Sequence, residues 1–236
     1  MPDALAGKRI VLAGGAGGLG RVTAERLAAE GAELVVSFRT RKPESSPGTL
    51  VQAELETAGD RARLLDAAPG LYGLVVFTGV PARAATPDQL EQAMRDSFES
   101  NYLGPILLAR EAADRMRADG TPGAIVLFST MQAGALFPGS TAYAGAKASL
   151  AHAARILAKE LRGPANIRVN VVSPGVTAAG MAEASIASGK YDRFLKDGMV
   201  PRFGRAADVA RAVRFFLEPD NYVTGQVLTV DGGLTL

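Results

Sequence analysis

Lys8-Arg-Ile-Val-Leu-Ala-Gly-Gly-Ala-Gly-Gly-Leu-Gly20 joins a short β-prone apolar run to a cluster of glycines, and Arg21 to Glu30 continues with helical periodicity through Val22, Leu27 and Ala28. Strand, glycine turn, helix is the order that opens a dinucleotide-binding α/β fold. Glycines let the backbone turn tightly and approach a pyrophosphate, whose charge then sits at a helix N-terminus among N–H groups without intrahelical partners. A glycine cluster alone is also what a flexible loop contains; the flanking strand and helix separate the two readings.

Gly31-Ala-Glu-Leu-Val-Val-Ser-Phe38 reads as the second strand, and its end bears on the choice of dinucleotide. A carboxylate there would hold the ribose 2′-OH of NAD, but the chain offers Phe38 and then Arg39, Arg41 and Lys42. Positive charge suits the 2′-phosphate of NADP, with Arg39 best placed for a bidentate or stacking contact. Arg41 and Lys42 read equally well as solvated loop bases. Thr40 to Gly48 is rich in Pro, Ser and Gly, so the crossover helix between strands two and three is missing or very short. Thr49 to Glu56 then reads as a strand, followed by a helix from about Ala58 to Ala68. The alternative order, a helix first and a strand at Arg61 to Leu65, leaves an almost fully extended chain to cross back, and the first order is preferred.

Leu74-Val-Val-Phe77 is a central strand ending in Thr78-Gly79, and Pro87 opens a helical region that continues through Phe98, Asn101 and Leu107 toward Met116. Asn101 is out of place in a helix; it is either a satisfied polar group or one beside a site, exposing a carbonyl or holding water. Ala124-Ile-Val-Leu-Phe128 is the continuous apolar run of a buried parallel strand, so Ser129 and Thr130 fall at its carboxyl end, where ligands bind in open α/β sheets. From Tyr143 to Leu161 an alanine-rich pattern reads as one helix, with Tyr143 and Lys147 four residues apart on one face. A nearby ammonium favours phenolate and lowers a Tyr pKa from its usual value of about 10 toward the range of a working proton donor. An isolated Tyr-x-x-x-Lys is otherwise an ordinary amphipathic pair. Asn166 to Val172 is a further strand running into Ser173-Pro174-Gly175, residues 178–200 resemble a mobile helical flap over a substrate, Asp208 to Phe216 is a helix, and Gln226 to Val230 a last strand.

Composition narrows the function classes. Length 236 suits a single α/β domain, and no repeat or linker marks a second. The formal charge of +2 comes from interspersed acids and bases, which points to neither nucleic acid nor an anionic membrane as partner. The absence of Cys removes disulfides, thiolate zinc sites and a cysteine nucleophile, and His152 alone cannot build a His-rich metal site. His152 itself reads as a packing or surface residue, and the scattered Met residues as core filling. The N-terminus lacks a signal pattern and no apolar run approaches about 20 residues, so a soluble cytoplasmic protein is expected.

Taken in order, from the glycine turn through Tyr143-Ala-Gly-Ala-Lys147 to Val230-Asp-Gly-Gly233, the chain resembles the short-chain dehydrogenase/reductase family over nearly its whole length. The resemblance implies a single α/β domain of Rossmann type, a doubly wound parallel sheet of about seven strands, and a homodimer or homotetramer formed through the long helices, here about 102–117 and 143–161. It implies Tyr143 as general acid/base, Lys147 as the residue that lowers its pKa and binds the nicotinamide ribose, and Asn101 as a polar relay. The family's serine position falls on Thr130, with Ser129 one residue away, and either hydroxyl can hold a substrate carbonyl. For the cofactor the resemblance implies Gly14, Ala16, Gly18, Leu19 and Gly20 at the turn, and Phe38, Arg39, Glu54 and Leu55 at the adenosine end. Thr78, Gly79, Pro174, Gly175, Val176 and Thr177, with Tyr143 and Lys147, complete the set. Met131, Gln132, Phe137, Gly175, Met181 and Phe194 are expected in the substrate wall.

Several positions depart from the family pattern. Ala13 replaces a Thr before the turn, Phe77-Thr78-Gly79-Val80 stands where Asn-Asn-Ala-Gly is usual, Glu54 replaces an Asp facing adenine, and Ala179 replaces a Thr after Pro-Gly. At about 0.5–1.5 kcal/mol for each typical net hydrogen bond, such losses weaken dinucleotide binding without abolishing it. The expected activity is an NADP(H)-dependent interconversion of a ketone or other carbonyl and a secondary alcohol, with a small-molecule substrate and no metal. The rival readings are a protein of this fold that binds a nucleotide or partner without redox turnover, and one that performs non-hydride chemistry on a related substrate.

Overall fold

A computed structural model of the chain describes residues 4–236 apart from 83 and 85. Its strands are β1 (Arg9–Ala13), β2 (Glu33–Phe38), β3 (Thr49–Gln52), β4 (Leu71–Val76), β5 (Gly123–Phe128), β6 (Ile167–Pro174) and β7 (Val227–Val230). Alternation along the central strands decides the layers. In β1, Val11 and Ala13 enter one apolar layer and Ile10 and Leu12 the other; in β5, Ile125 and Leu127 oppose Ala124, Val126 and Phe128. Every residue of β4 and β5 is buried, as expected of strands covered on both faces. The strands form one sheet of order β3-β2-β1-β4-β5-β6-β7 with every pairing parallel.

The connections carry α1 (Gly18–Ala29), α2 (Ala58–Asp66), α3 (Leu90–Phe98), α4 (Gly104–Ala118), α5 (Thr141–Glu160), α6 (Glu183–Ala187), α7 (Asp192–Lys196) and α8 (Ala206–Leu217). Helices α2, α4 and α5 cover one sheet face through Leu64, Leu108, Met116 and Leu157, and α1 and α8 cover the other through Leu27, Val213 and Phe216. Each such side chain contributes about 1.5–3 kcal/mol on full burial. No helix among the described residues is long and apolar enough to cross a membrane.

Residues 39–48 join β2 to β3 without a helix, as the Pro, Ser and Gly content predicts. The connection folds close over β2: a Cβ at Gly48 would lie 2.4 Å from Leu34 O. β3 precedes α2, the preferred order, but stops at Gln52 rather than Glu56. Ala53 N–H still donates to Phe38 O at 3.0 Å, whereas Glu54 N–H turns away to Asp60 Oδ2 at 2.8 Å. β4 begins earlier than expected because the β1–β4 register shifts between Arg9 and Ile10, which takes Leu71 and Gly73 into the ladder.

The helical region from Pro87 is interrupted. Glu99–Leu103 is a π turn between α3 and α4, with Asn101 inside it. Pro105 supplies the physical cause: it has no N–H for the Asn101 carbonyl and its ring would clash there, so the ladder widens by one residue. At the far end of the sheet, Arg168 on β6 is buried against the C-terminus of α8. Its guanidinium donates to Phe216 O at 2.9 Å and Glu218 O at 2.8 Å, while Tyr72 Oη donates to Leu217 O at 2.7 Å. A cation there meets the negative end of the helix dipole and satisfies carbonyls that lack intrahelical donors.

Candidate active site

The chain order reverses between β1 and β4, and ligands bind at the carboxyl ends of strands flanking such a switch. The residues that follow β1, β4, β5 and β6, namely Gly14, Phe77, Ser129 and Gly175, line one cavity of about 670 Å³. Gly18, Leu19 and Gly20 line it too, whereas Ala16 packs against the apolar layer below the turn and does not reach the cavity. Gly14, Thr78 and Gly79 also line a second cavity of about 230 Å³, whose walls include Arg39, Glu54 and Leu55. Phe38, half-buried, lines neither cavity, and Arg41 and Lys42 are exposed outside both. Ser37 was not anticipated. Its Oγ accepts from Gly14 N–H at 2.8 Å and ties the turn to β2; the only signal for it was a hydroxyl inside the apolar run Val35-Val-Ser-Phe38.

Helix α5 begins at Thr141, so Tyr143 and Lys147 occupy successive turns. The Lys147 side chain is almost fully buried, and Nζ donates to Phe128 O at 2.9 Å and Thr78 O at 3.3 Å. Burial lowers its pKa to about 7. The Tyr143 phenol is shifted up, not down as expected from a neighbouring ammonium. Desolvation is the largest cause, the Thr130 hydroxyl opposes it by hydrogen bonding to the phenol, and Tyr191 adds a smaller upward push. Lys147 Nζ donates to the two carbonyls and makes no hydrogen bond to the phenol among the described residues.

The two candidate hydroxyls are distinguished by their partners. Ser129 Oγ donates to Lys147 O at 2.9 Å and so holds α5 against β5. Thr130 is the one that meets the phenol, and its Oγ1 also accepts from Gln132 N–H at 3.4 Å. Asn101 lies behind the cavity wall, fully buried. Its amide donates to Val80 O and Ser97 Oγ, each at 3.0 Å, and its Oδ1 accepts from Val80 N–H at 3.1 Å.

The chain's own atoms fit a dinucleotide. The N-terminus of α1 has no side-chain cap, leaving its first N–H groups for a diphosphate. A Cβ at Gly18 would lie 2.6 Å from Gly180 N, so only glycine keeps the turn this close to the flap. Thr78 Oγ1, beside both cavities, is a buried hydroxyl with no hydrogen-bond partner among the described residues. Thr177 Oγ1 bonds back to Gly175 O at 3.2 Å. Pro174, Gly175, Val176 and Thr177 line the cavity with the expected substrate wall of Met131, Gln132, Phe137, Met181 and Phe194. The flap (residues 178–200) also brings in Lys190, Tyr191 and Arg193. These were missed, since two bases and a tyrosine at the turn into a short polar helix carry no sign in sequence of the direction they face.

A family model described as enoyl-(acyl carrier protein) reductase matches residues 14–235. An uncharacterized oxidoreductase of Methylorubrum extorquens is 34% identical, with 98% of each chain covered. An NADPH-dependent aldehyde reductase-like chloroplastic protein of Arabidopsis thaliana is 28% identical, with 98% of this chain and 96% of the relative covered. Among solved structures, a short chain dehydrogenase/reductase family protein superposes with a TM-score of 0.85 at 33% identity, again over 98% of each chain. Motif order, parallel topology and these matches agree across the whole length, and the chain belongs to the short-chain dehydrogenase/reductase family.

Proposed function

We propose that this protein is an NADP(H)-dependent oxidoreductase that interconverts a carbonyl compound and a secondary alcohol, with Tyr143 as general acid/base. The observation that carries the reading is that Tyr143 and Thr130 stand on the wall of the same cavity that the glycine turn opens, with the Thr130 hydroxyl among the groups acting on the phenol. A hydroxyl that holds an oxygen and a phenol that exchanges a proton with it are what carbonyl reduction requires of a protein.

The nicotinamide cofactor, when bound, supplies or accepts the hydride at the carbonyl carbon. Gly14, Gly18, Leu19 and Gly20 hold its diphosphate against α1, Thr78, Gly79 and Lys147 hold a ribose, and Arg39 the 2′-phosphate. Arg39 suits that role because it stands in the second cavity at the end of β2, with its carbonyl fixed by Gln52 Nε2 at 2.9 Å. The NADPH dependence in the name of the Arabidopsis relative points the same way. Thr130 steadies the substrate oxygen, and Tyr143 gives it a proton as the carbon becomes tetrahedral; the reverse reaction returns that proton. A phenol held above its usual pKa is protonated at neutral pH and ready to act as the acid of the reductive direction.

Tyr143→Phe abolishes turnover with folding intact, and full activity in that variant refutes the mechanism. Titration with NADPH and NADH tests the cofactor: Arg39→Ala weakens NADPH by about 10- to 150-fold, the loss of one charge-assisted contact, and leaves NADH unchanged. Tighter binding of NADH by the native protein refutes the NADP reading. A folded protein that binds neither favours the non-redox reading.

A further inference from the structure

The larger cavity carries charge of one sign. Lys147, Lys190 and Arg193 line it, with no aspartate or glutamate among its lining residues. Lys147 is engaged by the Thr78 and Phe128 carbonyls, which leaves the two flap cations. Neither forms an ion pair among the described residues, Asp197 four residues after Arg193 included, and Glu183 and Asp192 are engaged elsewhere. Glu183 accepts from Gly180 N–H at 2.8 Å, and Asp192 pairs with Lys196 at 3.7 Å.

Each cation lies instead over a ring of the same wall. Lys190 Nζ is 5.5 Å from the Tyr191 centroid and the Arg193 guanidinium 5.1 Å from that of Phe194, and the two rings stack at 5.9 Å. Phe194 is buried, so its ring is a fixed support. Such contacts orient a cation without neutralising it. The rest of the wall is mainly apolar, through Met131, Phe137 and Met181. A ligand complementary to this surface has an apolar body and an anionic end.

We propose that the substrate is an anionic carbonyl compound, with a carboxylate or phosphate remote from the carbonyl held by Lys190 and Arg193. Arg193 presents a planar fork suited to two oxygens, and Lys190 adds a point charge. The proposal rests on the reading of Tyr143 and Thr130 as the reducing end of the cavity; the hydride and proton of that reaction are unchanged by the anionic tail. It differs from a dinucleotide-phosphate role for the same cations, which the test separates.

Calorimetric titrations of the protein, alone and saturated with NADP⁺, compare acetoacetate and levulinate with their methyl esters, and dihydroxyacetone phosphate with dihydroxyacetone. At least one anion is expected to bind about tenfold tighter than its neutral partner, the scale of one charge-assisted contact. Preference within the carboxylate or the phosphate pairs identifies the anion. The advantage disappears in the Lys190→Gln/Arg193→Gln double variant, while its Kd for NADPH stays that of the native protein. Neutral partners that bind as tightly as the anions overturn the proposal, as does a double variant that loses NADPH affinity in step. NADPH absorbance is followed in parallel. An oxo acid that binds through these cations but is never reduced sinks the hydride reading alone and leaves the anion site standing.

Discussion

Asn101 offers a clean test of how a side chain can serve a site without entering it. Its amide joins three partners: Val80 through both main-chain groups, and Ser97 Oγ. Asn101→Ala removes all three bonds and opens a small void in a fully buried place. At about 0.5–1.5 kcal/mol per net bond, with partial recovery by water at half-buried Val80, the loss is about 2–4 kcal/mol. For a domain of this size that lowers Tm by about 4–16 °C. Asn101→Asp sharpens the test, since it keeps the acceptor toward Val80 N–H but sets a carboxylate oxygen against Val80 O. The raised pKa of that buried acid makes the variant least stable at neutral pH, and stability returns as the pH falls and the group protonates. The assay is urea unfolding with a shared m-value, alongside kcat on a reduced ketone. A loss under about 0.5 kcal/mol in Asn101→Ala together with a large fall in kcat refutes the strut and assigns Asn101 to the chemistry.

Further expectations concern the turn, the buried lysine and the α8 terminus. Gly18→Ala puts a Cβ 2.6 Å from Gly180 N, so the flap must retreat from the turn, and NADPH binding weakens by about 5- to 150-fold, the range of an overpacking penalty; an unchanged Kd refutes the close approach. Lys147 has a folded pKa of about 7, below its unfolded value, so the folded state binds fewer protons between the two. Native stability relative to Lys147→Met therefore falls as the pH drops from about 10.4 to about 7, by at most about 1.4 kcal/mol per unit, and is flat below; a difference independent of pH in urea unfolding refutes this. Arg168→Met leaves the Phe216 and Glu218 carbonyls without their donor and costs about 3–5 kcal/mol, read as a lower urea midpoint and faster amide exchange in α8.

Much of the fold was legible because its signals are local. Uninterrupted apolar runs mark β4 and β5, the glycine cluster marks the switch point, and Pro, Ser and Gly in residues 40–48 exclude a helix by backbone chemistry alone. Site residues supplied by strand ends were legible for the same reason, since a strand end is a position in the chain. What depends on rotation was not. The choice between Ser129 and Thr130 turns on which hydroxyl faces α5, and the direction of Lys147 Nζ on two carbonyls, one at the end of β5 and one in the loop after β4. Gly104-Pro105 did carry a sign of the π turn, but helical periodicity on both sides concealed it.

The helix-free link between β2 and β3 leaves the sheet with a bare margin. An open edge invites pairing with a strand of another molecule, the first step toward aggregation. Here the margin is only four residues long, and its last carbonyl is already taken: Arg63 Nη2 donates to Gln52 O at 2.7 Å, while Gln52 Nε2 reaches across to Arg39 O. The arginine thus occupies one outward carbonyl of that short edge, which shortens what it offers to a foreign strand.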